Sequence, residues 1–344
     1  MNSVWRNLYW GDIVSLEYGK ALRADQRKYG DYPVYGTNGQ IGKCNTVLCN
    51  EAGIIIGRKG EYREVHYSSI PFFVIDTAFY IKKKENFDVK WAYYYLKTQD
   101  INELDSGSAI PSTSREDFYQ LPVSVPPLQE QHAIAAVLSS LDDKIDLLNR
   151  QNVTLEAMAE ALFRQWFAIT SGERNNKTKI GDLFDISSGK GLKKEAFLEN
   201  GTYPILGANG KIGTTNEFLY DEKIIYTGRV GTLGNIFTFF EKAWYSDNTL
   251  VFTEIKYFYF TYFLLKFLHL EDYNVGSTQP LIRQSDIKNI EIFLPHKIRI
   301  EKFEGIAENI FAKIRSNQTQ IITLEKLRDT LLPKLMSGEV RVTY

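Results

Sequence analysis

The sequence predicts α/β (α+β) globular domains in two copies, separated by a long antiparallel two-helix coiled coil and related by an internal pseudo-two-fold repeat. Three observations carry this fold class. The chain repeats itself at a spacing close to 170 residues, each copy ends in a heptad stripe, and the two stripes carry opposite net charge.

The repeat is read from matched motifs. Gly11-Asp12 recurs as Gly181-Asp182 and Gly19-Lys20 as Gly189-Lys190, both 170 residues on. GTNGQIG at 36–42 returns as GANGKIG at 207–213, and Gly57-Arg58 returns as Gly228-Arg229, both 171 apart. Gly107-Ser108 with Pro111 answers Gly276-Ser277 with Pro280, and Asp117 answers Asp286, at 169. So small a drift over so many matches marks a duplication. It divides the chain into globular heads at 1–127 and 171–296, and helical stretches at 128–170 and 297–344.

Each head reads as many short strands with one aromatic-rich helix. Asn38-Gly39 and Asn209-Gly210 are hairpin-turn dipeptides between β-prone runs. Ile54-Ile55-Ile56 and Ile224-Ile225-Tyr226 read as buried strands, and Trp91 to Leu96 and Tyr257 to Leu268 as helices against a sheet. Pro122, Pro126 and Pro127, then Pro295, mark the passage into the long helices.

In the first long helix Ile134, Leu138, Leu141, Ile145, Leu148, Asn152, Leu155, Ala159, Leu162 and Trp166 keep a four-three alternation. The second runs from Phe303 to Leu335 with polar breaks at Asn317 and Arg328. Each seam rises roughly 48 Å at 1.5 Å per residue, too long a stripe to stand without a partner. Residues 128–170 hold three Lys/Arg against six Asp/Glu, and residues 297–344 hold nine against six. Opposite charge favours pairing between the copies. Antiparallel pairing that sets Ile134 against Leu335 sets Asn152 against Asn317, either as a register-fixing amide pair or as two amides turned to water.

A length of 344 residues, 44% hydrophobic and 24% charged, excludes wholesale disorder, and a net charge of −1 excludes a broadly basic protein. Two cysteines make no disulfide framework, no apolar leader follows Met1, and the nine-residue run from Tyr257 to Leu265 is too short to span a bilayer. A cytoplasmic protein without membrane contact is expected.

Chemistry is sparse. The phosphate-binding, dinucleotide, nucleophile-elbow and zinc-protease motifs are missing from the sequence. Cys44, Cys49 and His66 are better described as two buried thiols and a surface imidazole than as a zinc site. Asp221-Glu222-Lys223 resembles a nuclease fragment, but its counterpart Asn50-Glu51-Ala52 keeps neither the Asp nor the Lys. No catalytic residue and no metal ligand is expected. Lys82-Lys83-Lys84 reads as a solvated strand edge or as a phosphate contact. The copies share loops bearing polar and basic groups. Arg58 and Arg229 on equivalent turns suit guanine edges or phosphate oxygens, or else bond loop carbonyls. The Gly-Ser turns carrying Ser108 and Ser277 offer hydroxyl and backbone donors to phosphate, or are ordinary loops before a helix.

The order YPVYGTNGQIG, IIIGRKG, then PPLQEQHAIAAVLSSLDDKID at 126–146, then a second round ending in TLEKLRDTLLPKLMSGEV, resembles the DNA-specificity subunit of type I restriction–modification systems. The resemblance spans essentially the whole chain. The second copy departs at its helix entry, PHKIRIEKFEGIA. It implies a non-catalytic chain whose heads each read half of a split site in double-stranded DNA. The helices would hold the heads apart and dock two methyltransferase subunits, with restriction subunits as further partners. S-adenosylmethionine, ATP and Mg²⁺ would belong to those partners.

Within the heads, Arg58, Lys59, Arg63 and Arg229 are the expected groove or phosphate contacts, with Asn38, Gln40, Asn209 and Lys211 adding polar readout. These positions are largely shared by both copies, which suits positioning. Base discrimination is expected where the copies differ, near 61–70 and 232–245. The rival reading is a coiled-coil interaction scaffold whose duplicated heads bind protein or carbohydrate, favoured by the near-neutral heads.

Overall fold

The computed structural model describes residues 5–105, 107, 111–167, 177–230, 233–276 and 281–342. The chain forms two compact units, one of Met1–Asn149 with Gln318–Tyr344 and one of Arg150–Asn317. Each of the two long helices, Leu128–Phe167 and Lys297–Ser337, therefore gives part of its length to each unit.

The first unit holds β1 (Arg6–Tyr9), β2 (Val14–Tyr18), β3 (Tyr32–Gly36), β4 (Gly39–Cys44), β5 (Gly53–Gly57), β6 (Val65–Ser68), β7 (Phe73–Val74), β8 (Ala78–Lys83) and β9 (Pro122–Val125). An antiparallel sheet runs β2-β8-β5-β6, a second runs β4-β3-β7 with β3 and β7 parallel, and β1 pairs with β9. The second unit holds β10 (Lys177–Lys179), β11 (Asp185–Ser188), β12 (Tyr203–Gly207), β13 (Gly210–Thr215), β14 (Ile224–Gly228), β15 (Ile236–Phe239), β16 (Trp244–Tyr245), β17 (Thr249–Thr253) and β18 (Glu291–Phe293). Its sheets run β11-β17-β14-β15, β13-β12-β16 and β10-β18, the same topology strand for strand. Even the register shift recurs, at Val34/Tyr35 and at Ile205/Leu206.

Local chemistry explains the shared design. Gly39 and Gly210 close the hairpins at φ +113° and +107°, backbone that a side chain would strain. A Cβ on Gly19 would stand 2.0 Å from the Ile75 carbonyl oxygen, and one on Gly189 would stand 2.2 Å from that of Ser246. β5 and β14 are buried along their whole length, which accounts for their unbroken apolar runs.

The aromatic helices cover these sheets. In the first unit Val89–Lys97 is capped by Asp88, whose carboxylate accepts from the Trp91 amide at 2.8 Å. Trp91, fully buried, packs in one core with Phe118, Ile134, Leu138 and Leu335. Truncating it to Ala would cost about 3–5 kcal/mol. In the second unit Phe258–Phe267 is buried over most of its length, and Phe163 and Phe303 of the long helices pack on Phe263.

Within each unit the long helices run antiparallel. Residues 145 and 148 meet Ile321 and Leu324 in the first unit, and the Asn317 amide donates to Asn152 Oδ1 at 2.9 Å in the second. Arg328, a polar break in the seam, has a partner: its Nη1 donates to Asp142 at 2.9 Å, and Asp142 also accepts from the Tyr94 hydroxyl at 2.6 Å.

Candidate nucleic-acid interface

In the first unit β2 and β5 each pair antiparallel with β8, so they run parallel to one another and end at the same edge of the sheet. Tyr18, the last residue of β2, lies opposite Phe79, and Gly57, the last of β5, lies opposite Ala78. Arg58 follows at once. Its backbone N–H donates to Thr77 and its carbonyl accepts from Thr113, which pins the segment entering the short helix Arg115–Gln120. Three separate stretches of sequence thus meet at one corner.

The Arg58 guanidinium lies 4.8 Å from the centre of the Tyr18 ring and that of Arg115 lies 5.1 Å from it. Arg58 Nη1 donates to the Asp76 carbonyl at 2.9 Å, and Arg115 Nη2 donates to the Tyr119 hydroxyl at 3.2 Å. The Tyr119 bond holds Arg115 more firmly in its charged form. Tyr18 is 49% exposed, so the cluster faces solvent.

The second unit builds the same corner. The Arg229 N–H donates to Asn248 and its carbonyl accepts from Ile282, ahead of the short helix Gln284–Lys288. Ser188 ends β11 and accepts from both Arg229 Nη1 at 3.2 Å and Gln284 Nε2 at 3.0 Å. Tyr18, Arg115, Ser188 and Gln284 were not singled out from sequence. The visible signal was the 170-residue and 169-residue offsets, which align Tyr18 with Ser188 and Arg115 with Gln284.

The other expected contact residues divide. Lys59 is exposed beside Arg58, and Thr37 Oγ1 donates to the Lys59 and Thr77 carbonyls, drawing the hairpin turn of Asn38 and Gln40 to the Gly-Arg turn. Both residues are exposed; the Asn38 amide nitrogen donates to the Tyr62 carbonyl, and Gln40 donates to Gly42 O at 3.2 Å. Asn209 and Lys211 are exposed on the equivalent hairpin. Ser108 and Ser277 lie outside the described residues. Arg63 is a correction. It is only 2% exposed, and its guanidinium donates to the carbonyls of Gly60 at 3.3 Å and Asn102 at 2.7 Å, so it braces a loop and presents nothing to a groove.

The weaker motifs disperse. Asp221 pairs with Lys242 at 3.1 Å and Lys223 with Glu308 at 3.4 Å, which leaves no nuclease-like cluster. Lys84 donates to the Gly11 carbonyl. Cys44 is buried and Cys49 half-buried, while His66 is no surface imidazole: its side chain is 17% exposed and lies 3.3 Å from Thr37 O. Burial pushes its pKa down. Among the described residues no three His, Cys, Asp or Glu side chains form a metal-binding group.

Comparison with known proteins bears on this geometry. The family model described as the type I restriction modification DNA specificity domain matches residues 2–157 and again 173–326. The MjaIX specificity subunit of a type I restriction enzyme from Methanocaldococcus jannaschii is 26% identical, over 97% of this chain and 88% of that one. The MjaVIII specificity subunit of the same organism is 24% identical, over 98% and 93%. The crystal structure of a type I restriction–modification S subunit from M. genitalium has the same fold, with a TM-score of 0.69 at 22% identity over 99% of this chain and 98% of that one. The twofold match to one domain model over nearly the whole sequence places the chain in the family of type I restriction–modification DNA-specificity proteins.

Proposed function

We propose that each unit reads one half of a bipartite site in double-stranded DNA, and that the long helices set the unread gap and dock two methyltransferase subunits. Membership of the family gives the chain a role in DNA-sequence specificity without catalysis of its own. The observation that supports split reading is the recurrence of one partly exposed Arg-bearing corner in both units, at Arg58 and Arg229. A guanidinium at a strand end suits a phosphate or a base edge. Among the described residues no helix is long and apolar enough to cross a membrane. S-adenosylmethionine, ATP and Mg²⁺ fall to the methyltransferase and restriction subunits in this reading.

The test is selection of duplexes from a random-sequence library by the full chain assembled with its modification subunits. Two conserved blocks around an unread gap are expected. One contiguous block, or no enrichment, overturns split reading. A heptad inserted at matched points of both long helices adds about 10 Å at 1.5 Å per residue and lengthens the gap by about three base pairs. An unchanged gap removes the ruler role.

A further inference from the structure

The two corners share a frame and differ in what fills it. Tyr18, Arg58 and Arg115 occupy the first, and Ser188, Arg229 and Gln284 the second. The arginine after the strand is constant, and both corners tie its carbonyl to the loop before a short helix, through Thr113 in one and Ile282 in the other. Arg115 and Gln284 each open that helix. Gly11 and Gly181 confirm the equivalence from the other side, since a Cβ there would meet Tyr119 at 2.8 Å and Lys288 at 3.0 Å, one position apiece within those helices. A fixed arginine frame with exchanged end groups, Arg115 against Gln284 at the head of the helix and Tyr18 against Ser188 at the strand end, is what two readers of different sequences require.

Resting on the DNA reading above, we infer that position 115/284 is the base-discriminating position: Arg115 selects a guanine in one half-site and Gln284 an adenine in the other. Arginine donates twice to guanine O6 and N7, whereas a glutamine amide accepts from adenine N6 and donates to N7. The side chains are prepared for this. The rings and hydroxyls of Tyr18 and Tyr119 hold the Arg115 guanidinium, whose Nη groups carry further hydrogens for a base. Ser188 takes one Gln284 Nε2 hydrogen and fixes the amide, leaving Oε1 and the second hydrogen. Arg58 and Arg229 hold the corner and are positioning residues. This places discrimination outside 61–70, where Arg63 is spent on loop carbonyls.

The experiment repeats the library selection with Arg115→Gln, Arg115→Lys and Gln284→Arg in the assembled complex. Arg115→Gln is expected to turn one G·C pair of one half-site into A·T, shifting that preference roughly 10- to 100-fold. The other half-site stays as it was. Gln284→Arg makes the reverse change in the other half-site, and Arg115→Lys loses the guanine preference without gaining adenine. Uniformly weakened binding with every base preference intact overturns the inference, because a structural arginine would behave so. Should Arg115→Gln fail to fold, Gln284→Arg decides alone, and an unchanged preference there overturns it equally. A wild-type complex that enriches no sequence is a separate result, and it removes the DNA reading itself.

Discussion

Asn317 is wholly buried and donates through Nδ2 to Asn152 Oδ1 at 2.9 Å. The repeat pairs this contact with Leu148 and Ile321, which sit in an apolar cluster in the other unit. One side of the seam is therefore polar where its equivalent is greasy. Asn317 Oδ1 has no hydrogen-bond partner, so the pair carries an unmet acceptor. Such a contact fixes register at some loss of stability. Replacing both residues by their equivalents, as Asn152→Ile with Asn317→Leu, is expected to leave stability equal or raise it, whereas Asn317→Leu alone lowers it by about 1 kcal/mol. Thermal melting of the two variants against wild type checks this. A double variant that melts well below wild type would show the amide pair to be net stabilising.

A second prediction concerns Glu130, which is 1% exposed and accepts from Arg341 Nη2 at 2.8 Å and from Trp5 Nε1 at 3.1 Å. Removing one partner of a buried pair leaves a charge without compensation. Arg341→Ala should destabilise by about 2–3 kcal/mol, less than a fully enclosed pair because the guanidinium is half exposed. Glu130→Gln in the same chain should recover part of the loss, since the stranded charge is gone. Chemical denaturation of both variants gives the comparison, and no recovery would assign the loss to packing of the Arg341 stem.

Glu304 supplies a pH dependence. Its Oε1 accepts from the Phe260 amide at 2.6 Å, and burial raises its pKa from 4.5 to about 6 despite the backbone donors of Phe258, Tyr259 and Phe260. A carboxyl whose folded pKa lies above its unfolded value holds its proton more tightly in the native state. Its contribution is complete below pH 4.5 and is lost as the pH rises through about 6. Glu304→Gln keeps the acceptor oxygen without the charge. It should melt higher than wild type at pH 7.5 and match it near pH 4.5, so that the difference grows between those limits. Equal melting temperatures at both would place the carboxylate in contact with solvent.

The same helix shows how far the sequence could be read. Asp88 lies just before Val89–Lys97 and caps it, a signal that local rules recognise. Tyr257 lies just before Phe258–Phe267 and caps nothing; the acceptor arrives from Glu304 on the long helix. The duplication, the hairpins at Asn38-Gly39 and Asn209-Gly210 and the helical seams were legible because each is a repeated or periodic pattern. Side-chain fates at the corner were less so. Arg58 and Arg63 stand five residues apart in one basic loop, yet Arg63 turns inward to the Asn102 carbonyl and Arg58 lies on Tyr18. Nothing within the loop itself distinguishes them, because the shortest bond that draws Arg63 inward goes to Asn102, 39 residues downstream. Tyr18 and Arg115 are 97 positions apart and meet only through the crossover of β8 between β2 and β5.

That division predicts opposite behaviour for two arginines. Arg63→Ala removes bonds to Gly60 and Asn102 from a buried site and leaves their carbonyls without a donor. It should lower the melting temperature, while the folded fraction binds duplex DNA with an unaltered salt slope. Arg229, half-buried and bonded through Nη1 to Ser188, keeps other donors for a phosphate. Arg229→Ala should weaken binding at every site and reduce the slope of log affinity against log salt by about one. Titrations of the assembled complex at several salt concentrations, with melting curves alongside, separate the two. A slope that falls for Arg63→Ala and holds for Arg229→Ala would reverse the assignment of which guanidinium meets DNA.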